Sequence, residues 1–524
     1  MRTVALTLLC GLLWCLPARG EEPRTFVYAI HLGVNLPPPE SGLPALQYAD
    51  DDAARFFLFT RMFTEESLLF AVLDEDSQRR FPSLAQHSRV PERKELERVL
   101  DELRGALERH AARNEHTVVL LTYSGHGLAS PGGTRLSLLS GEIDRRFLEE
   151  RLLQLPASAV HLVVDACHSE DLLTARGAIQ QEASAADREI PFDERQRLTR
   201  ELLLRFPRAG VLLASGRDKE THEWSRLSAG VFSHEVLSAL AGAADVNGDG
   251  EIAYSEVAAF VSAANQAVED PRALVQVIAH APGIDPRTPL MSRRWVRRPT
   301  LLQGVPRALG HFFIELENGV RWLDANPEEG ASLSLLLPPG TTVWVRSSDL
   351  ESAFSPRPGE ARTFRDLEFS RAETAARGAA TDSLRRGFFR SRFGRSFYQG
   401  WVQGRGEIPV PLGEPSESVR AESAGGHEGW RAALMVSGGG GVLGSVIFGI
   451  LAGQAWSDYQ KTDLQRPATE AYRRWEVYTS IAVGSAVLAA GSAVALWWLW
   501  PEKNVQLAPL AGPDALGVSL FGRW

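Results

Sequence analysis

At 524 residues the chain is too long for one hydrophobic core, so two or three domains are expected. Its 44% hydrophobic and 23% charged residues are ordinary for a globular protein. The net charge of -9 gives no reason to expect nucleic acid as a partner.

The chain opens on Met1-Arg2, an apolar stretch over 4–16, and Pro17-Ala18-Arg19-Gly20 ahead of Glu21-Glu22. A short positive start, an apolar centre and a small residue at the exit read as a secretory signal at 1–20. Arg19 departs from the small-x-small cleavage pattern, and neither Cys10 nor Cys15 follows a small residue, which argues against a lipid anchor. An uncleaved anchor helix is the alternative, although the stretch is short for a full span. Loss of the signal leaves one thiol, Cys167, which cannot form an internal disulfide; its value is then apolar filling or reactivity.

Residues 21–295 read as α/β. Apolar strands recur at 26–32, 68–73, 117–123, 160–165 and 210–215. After Pro91, Leu96, Val99, Leu100, Leu103 and Leu107 form a helical stripe. Strands alternating with helices imply a mostly parallel sheet flanked by helices, whose working groups sit at the carboxyl ends of its strands. Two strands end in chemistry. One runs into Tyr123-Ser124-Gly125-His126-Gly127, the other into Asp165-Ala166-Cys167-His168-Ser169. An imidazole beside a thiol can take its proton and give the nucleophilic thiolate. The N–H groups of Gly127 and Cys167 could form a two-donor oxyanion hole. The bland reading makes Cys167 a core thiol and His126 a loop residue.

Farther on, Asp245-Val246-Asn247-Gly248-Asp249-Gly250-Glu251 and the next five residues through Glu256 fit the calcium-loop pattern D-x-[DN]-x-[DN]-G-x5-E. Asp245, Asn247, Asp249, the Glu251 carbonyl and a bidentate Glu256 would surround Ca2+, between helices at 232–243 and 257–267. The alternative is an acidic loop that binds nothing tightly.

Residues 300–372 show short strands joined by turn signals, including Glu317-Asn318-Gly319, and suggest a small β-sandwich with some resemblance to PEGA-type surface modules. An Arg/Gly/Ser-rich linker region follows at 373–431, with no fold assigned. Within it Arg385, Arg386, Phe388, Phe389, Arg390, Arg392, Phe393, Arg395 and Tyr398 interleave charge with aromatics; a solvated strand face or contact with an anionic membrane surface are the two readings.

Two uncharged apolar segments, 432–455 and 479–500, match the ~20 residues of a membrane-spanning helix and are edged by Trp and Tyr. Lys461, Arg466, Arg473 and Arg474 place the loop 456–478 in the cytoplasm by the positive-inside rule. The export signal demands the same orientation. The expected location is therefore the cell envelope, in the inner membrane, with residues before 432 and the tail 501–524 facing the periplasm or exterior.

The paired motifs at 123–127 and 165–169 resemble those of caspase-like cysteine peptidases, the metacaspase branch in particular. Leu46 through Ala53, with Asp50-Asp51-Asp52-Ala53, is similar to that family's N-D-A segment at the start of its first helix. Ala214-Ser215-Gly216 and Gly230-Val231-Phe232-Ser233-His234 resemble its small-subunit part. The resemblance spans roughly 25–295 and implies a caspase-type sheet, His126 as base, Cys167 as nucleophile and Gly127 in the oxyanion hole. It also implies protein or peptide substrates cut after Arg or Lys, read by Asp165 and Asp52, whose carboxylates suit a guanidinium or ammonium. The family often has Gly after the Ser of its cysteine motif, whereas here Glu170 and Asp171 follow Ser169. The expected activity is that of an exported, membrane-anchored cysteine endopeptidase; a silent scaffold of the same fold and a calcium-responsive envelope binding protein are the rival readings.

Overall fold

The computed structural model describes residues 24–130, 133–173, 192–216, 223–225, 227–270, 273–306, 309–371, 387–412, 506–512 and 515–521. The segment 1–20, the apolar spans 432–455 and 479–500 and the loop 456–478 lie outside the described residues. Among the described residues, no helix is long and apolar enough to cross a membrane. The chain forms two compact units, Met1–Gly413 and Glu414–Trp524.

The first unit begins with β1 (Thr25–Val34), α1 (Ala49–Thr60), β2 (Glu66–Ala71), α2 (Glu75–Arg80), β3 (Ser88–Arg89), α3 (Arg93–Ala111) and β4 (His116–Gly125). A small antiparallel sheet follows, built from β5 (Gly127–Ser130), β6 (Gly133–Ser137) and β7 (Glu142–Ile143). Next come α4 (Arg145–Phe147), β8 (Ala159–Ala166), α5 (Phe192–Leu203) and β9 (Ala209–Gly216). After the short pair β10 (Glu223–Trp224) and β11 (Ala229–Gly230) the chain forms α6 (Val231–Ser238), β12 (Glu251–Ala253), α7 (Tyr254–Asn265), β13 (Val275–His280) and β14 (Pro289–Ser292).

Seven of these strands make the central sheet, in the order β13-β9-β8-β4-β1-β2-β3. All neighbours run parallel except β13, which pairs antiparallel with β9 at one edge. Side-chain alternation splits β1 cleanly. Val27 and Ala29 join the core shared with α1, α6 and α7, while Ile30, Leu32 and Val34 join the opposite core with α3. The stripe expected after Pro91 is buried as a whole: Leu96, Val99, Leu100, Leu103 and Leu107 all face the sheet from α3. The five strands read from sequence are present with ends displaced by a few residues. The edge strand β13 was not expected, because Val275 to His280 mixes Gln and His into a short run.

The β-rich module comprises β15 (Leu301–Gly304), β16 (Phe312–Leu316), β17 (Arg321–Ala325), β18 (Leu333–Leu336), β19 (Val343–Arg346), β20 (Leu350–Phe354), β21 (Ala361–Thr363) and β22 (Ser370–Arg371). They form a five-stranded sheet, β17-β16-β19-β20-β22, and a three-stranded one, β18-β15-β21. The turn expected at 317–319 joins β16 to β17. Trp322 on β17 is fully buried, its ring 6.1 Å from that of Phe59 on α1 and its Nε1–H donating to the Leu336 carbonyl at 3.0 Å. One hydrophobic core runs through the module and this face of the central sheet.

The described part of 373–431 corrects the expectation of a solvated strand face. Residues 387–412 include α8 (Arg395–Arg405), and Phe388, Phe389, Phe393 and Tyr398 are all buried. Phe389 and Phe393 lie 5.4 and 5.2 Å, ring to ring, from Phe260 on α7. The Tyr398 hydroxyl bonds the Ser255 hydroxyl at 2.8 Å. Burying aromatic rings yields more than exposing them, so Arg390 and Arg392 between them are left exposed while Arg395 donates to the Val246 carbonyl at 3.1 Å. The second unit is described through one antiparallel hairpin, β23 (Gln506–Gly512) and β24 (Ala515–Phe521).

Candidate active site

β4 and β8 are adjacent parallel strands whose register ends with Gly125 opposite Ala166. The next residue on each chain is His126 and Cys167, so the two expected reactive side chains leave neighbouring strand ends at the same level. Cys167 is half-buried and in no disulfide. His126 is buried, and the Tyr123 hydroxyl fixes its backbone by donating to the His126 carbonyl at 3.0 Å and to Ser137 at 2.8 Å. Burial pushes the His126 pKa down against a hydrogen bond to the Asn35 backbone that pulls it up, so the imidazole is biased toward its neutral form. Its Nε2 is buried with no hydrogen-bond partner. A neutral ring with an uncommitted nitrogen is what proton acceptance requires.

Gly127 admits no side chain. A Cβ there would lie 1.8 Å from the Cys167 carbonyl oxygen, so the absence of one lets these two backbones meet. Beyond the cysteine, His168 adopts a left-handed conformation with φ 57°, and Thr134 donates to its carbonyl at 2.8 Å. The Ser169 hydroxyl donates to the Ala214 carbonyl on β9. Asp171, two residues after Ser169, is buried and paired with the buried Arg195 of α5 at 3.5 Å. An ion pair thus shapes this turn.

Asp52 and Asp165 come together as well. Both are buried, and both face Gly230: a Cβ on that glycine would stand 2.8 Å from an Asp52 oxygen and 2.6 Å from an Asp165 oxygen. The Gly230 N–H donates to both Asp52 oxygens at 3.1 Å, and the Ser124 hydroxyl donates to one of them at 2.9 Å. Ser233 donates to Asp165 through its N–H at 3.0 Å and its hydroxyl at 2.7 Å. Burial raises both carboxyls above the ordinary range. For Asp52 the neighbouring Asp165 adds to the rise, and Arg55, Ser124 and Gly230 oppose it. For Asp165, Ser233 opposes burial and Glu223 adds to it. Two buried acids thus share one pocket, with Arg55 the cation that offsets Asp52.

Ser124, Gly230, Ser233 and Glu223 escaped sequence reasoning as site residues. The first three lie inside quoted motifs, so their donors were within reach of a closer reading. Glu223 gave no signal: it accepts from the N–H groups of Gln47 and Tyr48 at 2.7 to 3.0 Å across a sequence gap of over 170 residues.

The loop 245–256 follows α6 and runs into the start of α7, and its carboxylates accept from the loop's own N–H groups. Asp245 accepts from the N–H groups of Gly248 and Gly250 at 2.7 and 3.0 Å, with the Arg293 guanidinium 3.9 Å away. Glu256 accepts from Val246 at 3.1 Å and Ala253 at 2.8 Å. Asn247 and Asp249 bond each other at 2.7 Å, and the Asp249 carboxylate caps the Glu251 N–H at 2.7 Å. Among the described residues, no three His, Cys, Asp or Glu side chains already converge as a metal site would need.

Residues 43–281 match the family model described as a caspase domain. No curated protein matches the chain. The match takes in α1 through β13, and with them His126, Cys167, Asp52 and Asp165; the segment 43–281 is accordingly a caspase domain of the caspase-like cysteine peptidases.

Proposed function

From a caspase domain with a histidine and a cysteine at adjoining strand ends, we propose an endopeptidase that cuts after Arg or Lys. The observation that carries this reading is the placement of His126 and Cys167 level with one another at the ends of β4 and β8, with Asp165 on β8 and Asp52 on α1 meeting at Gly230. His126 takes the Cys167 proton at its uncommitted Nε2. The thiolate then attacks the peptide carbonyl, whose oxygen gathers negative charge against the N–H groups of Gly127 and Cys167. Collapse breaks the C–N bond, and the departing amine takes the proton back from His126. Water, deprotonated by the same imidazole, releases the acid and restores the thiol.

Specificity follows from the acid pair. A P1 guanidinium reaching Asp52 and Asp165 brings a second cation to a pair that Arg55 alone offsets, whereas an Asp side chain would add a further acid. The test is cleavage of matched Arg, Lys and Asp reporter peptides, with an electrophilic Arg peptide to label Cys167. Neither cleavage nor labelling would leave a silent scaffold.

The loop 245–256 enters this reading as a weak structural calcium site. It has the ligand spacing, but binding requires Glu256 to leave two backbone donors, which offsets part of the gain. Export and membrane anchoring rest on the segments 1–20, 432–455 and 479–500. Reporter fusions after residue 300 and within 456–478 should report opposite sides of the membrane; both in the cytoplasm would overturn the topology.

A further inference from the structure

Three residues after Asp52, on the same face of α1, lies Arg55, buried to 2% exposure. It is the cation that offsets Asp52, yet its hydrogen bonds to His234 and Arg321 run the other way. Its Nη2 donates at 2.6 Å to His234 Nδ1 and at 2.6 Å to the Arg321 carbonyl. His234 belongs to α6, and Arg321 to β17 of the β-rich module. Because Nδ1 accepts, the His234 proton sits on Nε2, which donates to Asp324 at 2.7 Å. Asp324 is fully buried and takes two further bonds from Arg321 at 2.5 Å and one from His311 at 2.7 Å. Its own N–H donates to the Ser238 hydroxyl at 3.1 Å, tying β17 back to α6. Arg321, His234 and His311 together outweigh burial and hold the Asp324 carboxyl well below the usual range, so this anion is permanent.

We propose that Arg55 is a positioning residue for the acid pocket, held off the pocket floor by His234 and by the Arg321 carbonyl, so that the β-rich module completes the specificity site. This rests on the reading of Asp52 and Asp165 as the receptor for a P1 cation. The logic is electrostatic. Two buried carboxylates need a nearby positive charge if one is to stay ionised, but a guanidinium lying between them would occupy the substrate's place. An arginine three residues along the helix, tethered on its far side, meets both demands. It lends charge without filling the pocket. The other charged groups around the pair are Asp51 with Arg80 from α1 and α2, Glu223 from β10 and Glu235 from α6; of these only Arg80 is cationic, and it is paired with Asp51 at 2.6 Å.

The experiment compares pH profiles of kcat/KM for an Arg and a Gln reporter peptide in the full chain. In Arg55→Met the acid limb for the Arg peptide should move up by about one pH unit, as expected for losing a cation beside a carboxylate. The Gln-peptide limb, set by the Cys167–His126 pair, should stay put. Arg55→Lys, which keeps the charge, should restore most of the limb. His234→Leu, which unties Arg55, should raise KM for the Arg peptide about tenfold with kcat little changed, and His234→Gln, able to accept and donate in the same places, should not. A uniform loss of activity with unmoved limbs in Arg55→Met, or an unchanged KM in His234→Leu, overturns the proposal. Should Arg55→Met fail to fold, the His234 pair decides. A wild-type protein without preference for Arg or Lys would instead refute the pocket itself.

Discussion

Asp52 and Asp165, 113 positions apart in sequence, present carboxylate oxygens to the same glycine, Gly230, which donates its N–H to Asp52. Two acids in one dry pocket repel each other, and burial already favours their protonated forms. Asp165 is pushed up to about 6. An Arg or Lys substrate needs the ionised form. Affinity for basic P1 residues should therefore fall as pH drops through about 6, visible as a rise in KM. Asp165→Asn should cost about 2 kcal/mol of binding for Arg peptides and leave Gln peptides nearly unaffected. A variant that keeps its Arg preference would remove Asp165 from the pocket.

Cys167→Ala should abolish peptidase activity, and His126→Ala should lower kcat by two to four orders of magnitude, roughly what loss of a general base costs. Gly127→Ala tests the same machinery sterically. Its methyl group would collide with the Cys167 carbonyl, so the backbones must part. Activity should drop about 10²–10³-fold, the scale of a lost oxyanion donor, while the protein remains folded. Activity surviving Cys167→Ala would point to another nucleophile.

The unliganded protein should be most stable at mildly acidic pH. Burial lowers His31 and His161 to about 3 and His234 and His280 to about 4, so these groups lose stability as pH falls below the unfolded value near 6.5. Above that pH they are neutral in both states. The raised carboxyls then act alone, Asp51 pushed up to about 7 and Glu256 to about 8. A folded carboxyl that holds its proton too long stabilises below its unfolded pKa and loses that contribution as pH rises through the folded one. The melting temperature should fall between pH 6.5 and 8.5, and Asp51→Asn should flatten the decline. A rising melting temperature over that interval would contradict these shifts.

For calcium, a millimolar site at a few millimolar Ca2+ adds only about 1 kcal/mol by mass action. The expected result is a melting temperature raised by about 2–4 °C in 10 mM Ca2+, absent in Glu256→Gln. No change in the wild-type protein means that the loop stays closed on its own N–H groups and binds no ion.

Much of the central sheet was legible because buried parallel strands and amphipathic helices write their periods into the sequence. Leu96 through Leu107 announced α3, and the runs before His126 and Cys167 announced the strands that carry them. The motif residues also fell where strand ends would put them. What stayed hidden depends on distant partners. Nothing near Arg55 says that His234 and β17 will receive its guanidinium, since an arginine on a helix is ordinarily solvated. The burial of Phe388, Phe389 and Phe393 was masked by the arginines around them. In the loop 245–256 the spacing was right, but spacing cannot tell whether carboxylates face an ion or their own backbone.

The stretch that resembles a known domain ends at residue 281, yet the native state respects no such border. Arg55, His234, Arg321 and Asp324 form one buried chain of charge, and one hydrophobic core passes from the central sheet through Trp322. Cutting near residue 300 would strip Arg55 of an acceptor, leave His234 without its anion and open apolar surface to water. Removing one member of such a network typically costs 3–5 kcal/mol, a large share of a domain's whole stability. The two parts should unfold in a single cooperative transition, and a fragment trimmed to the recognisable domain would be a poor witness to what the intact chain can do.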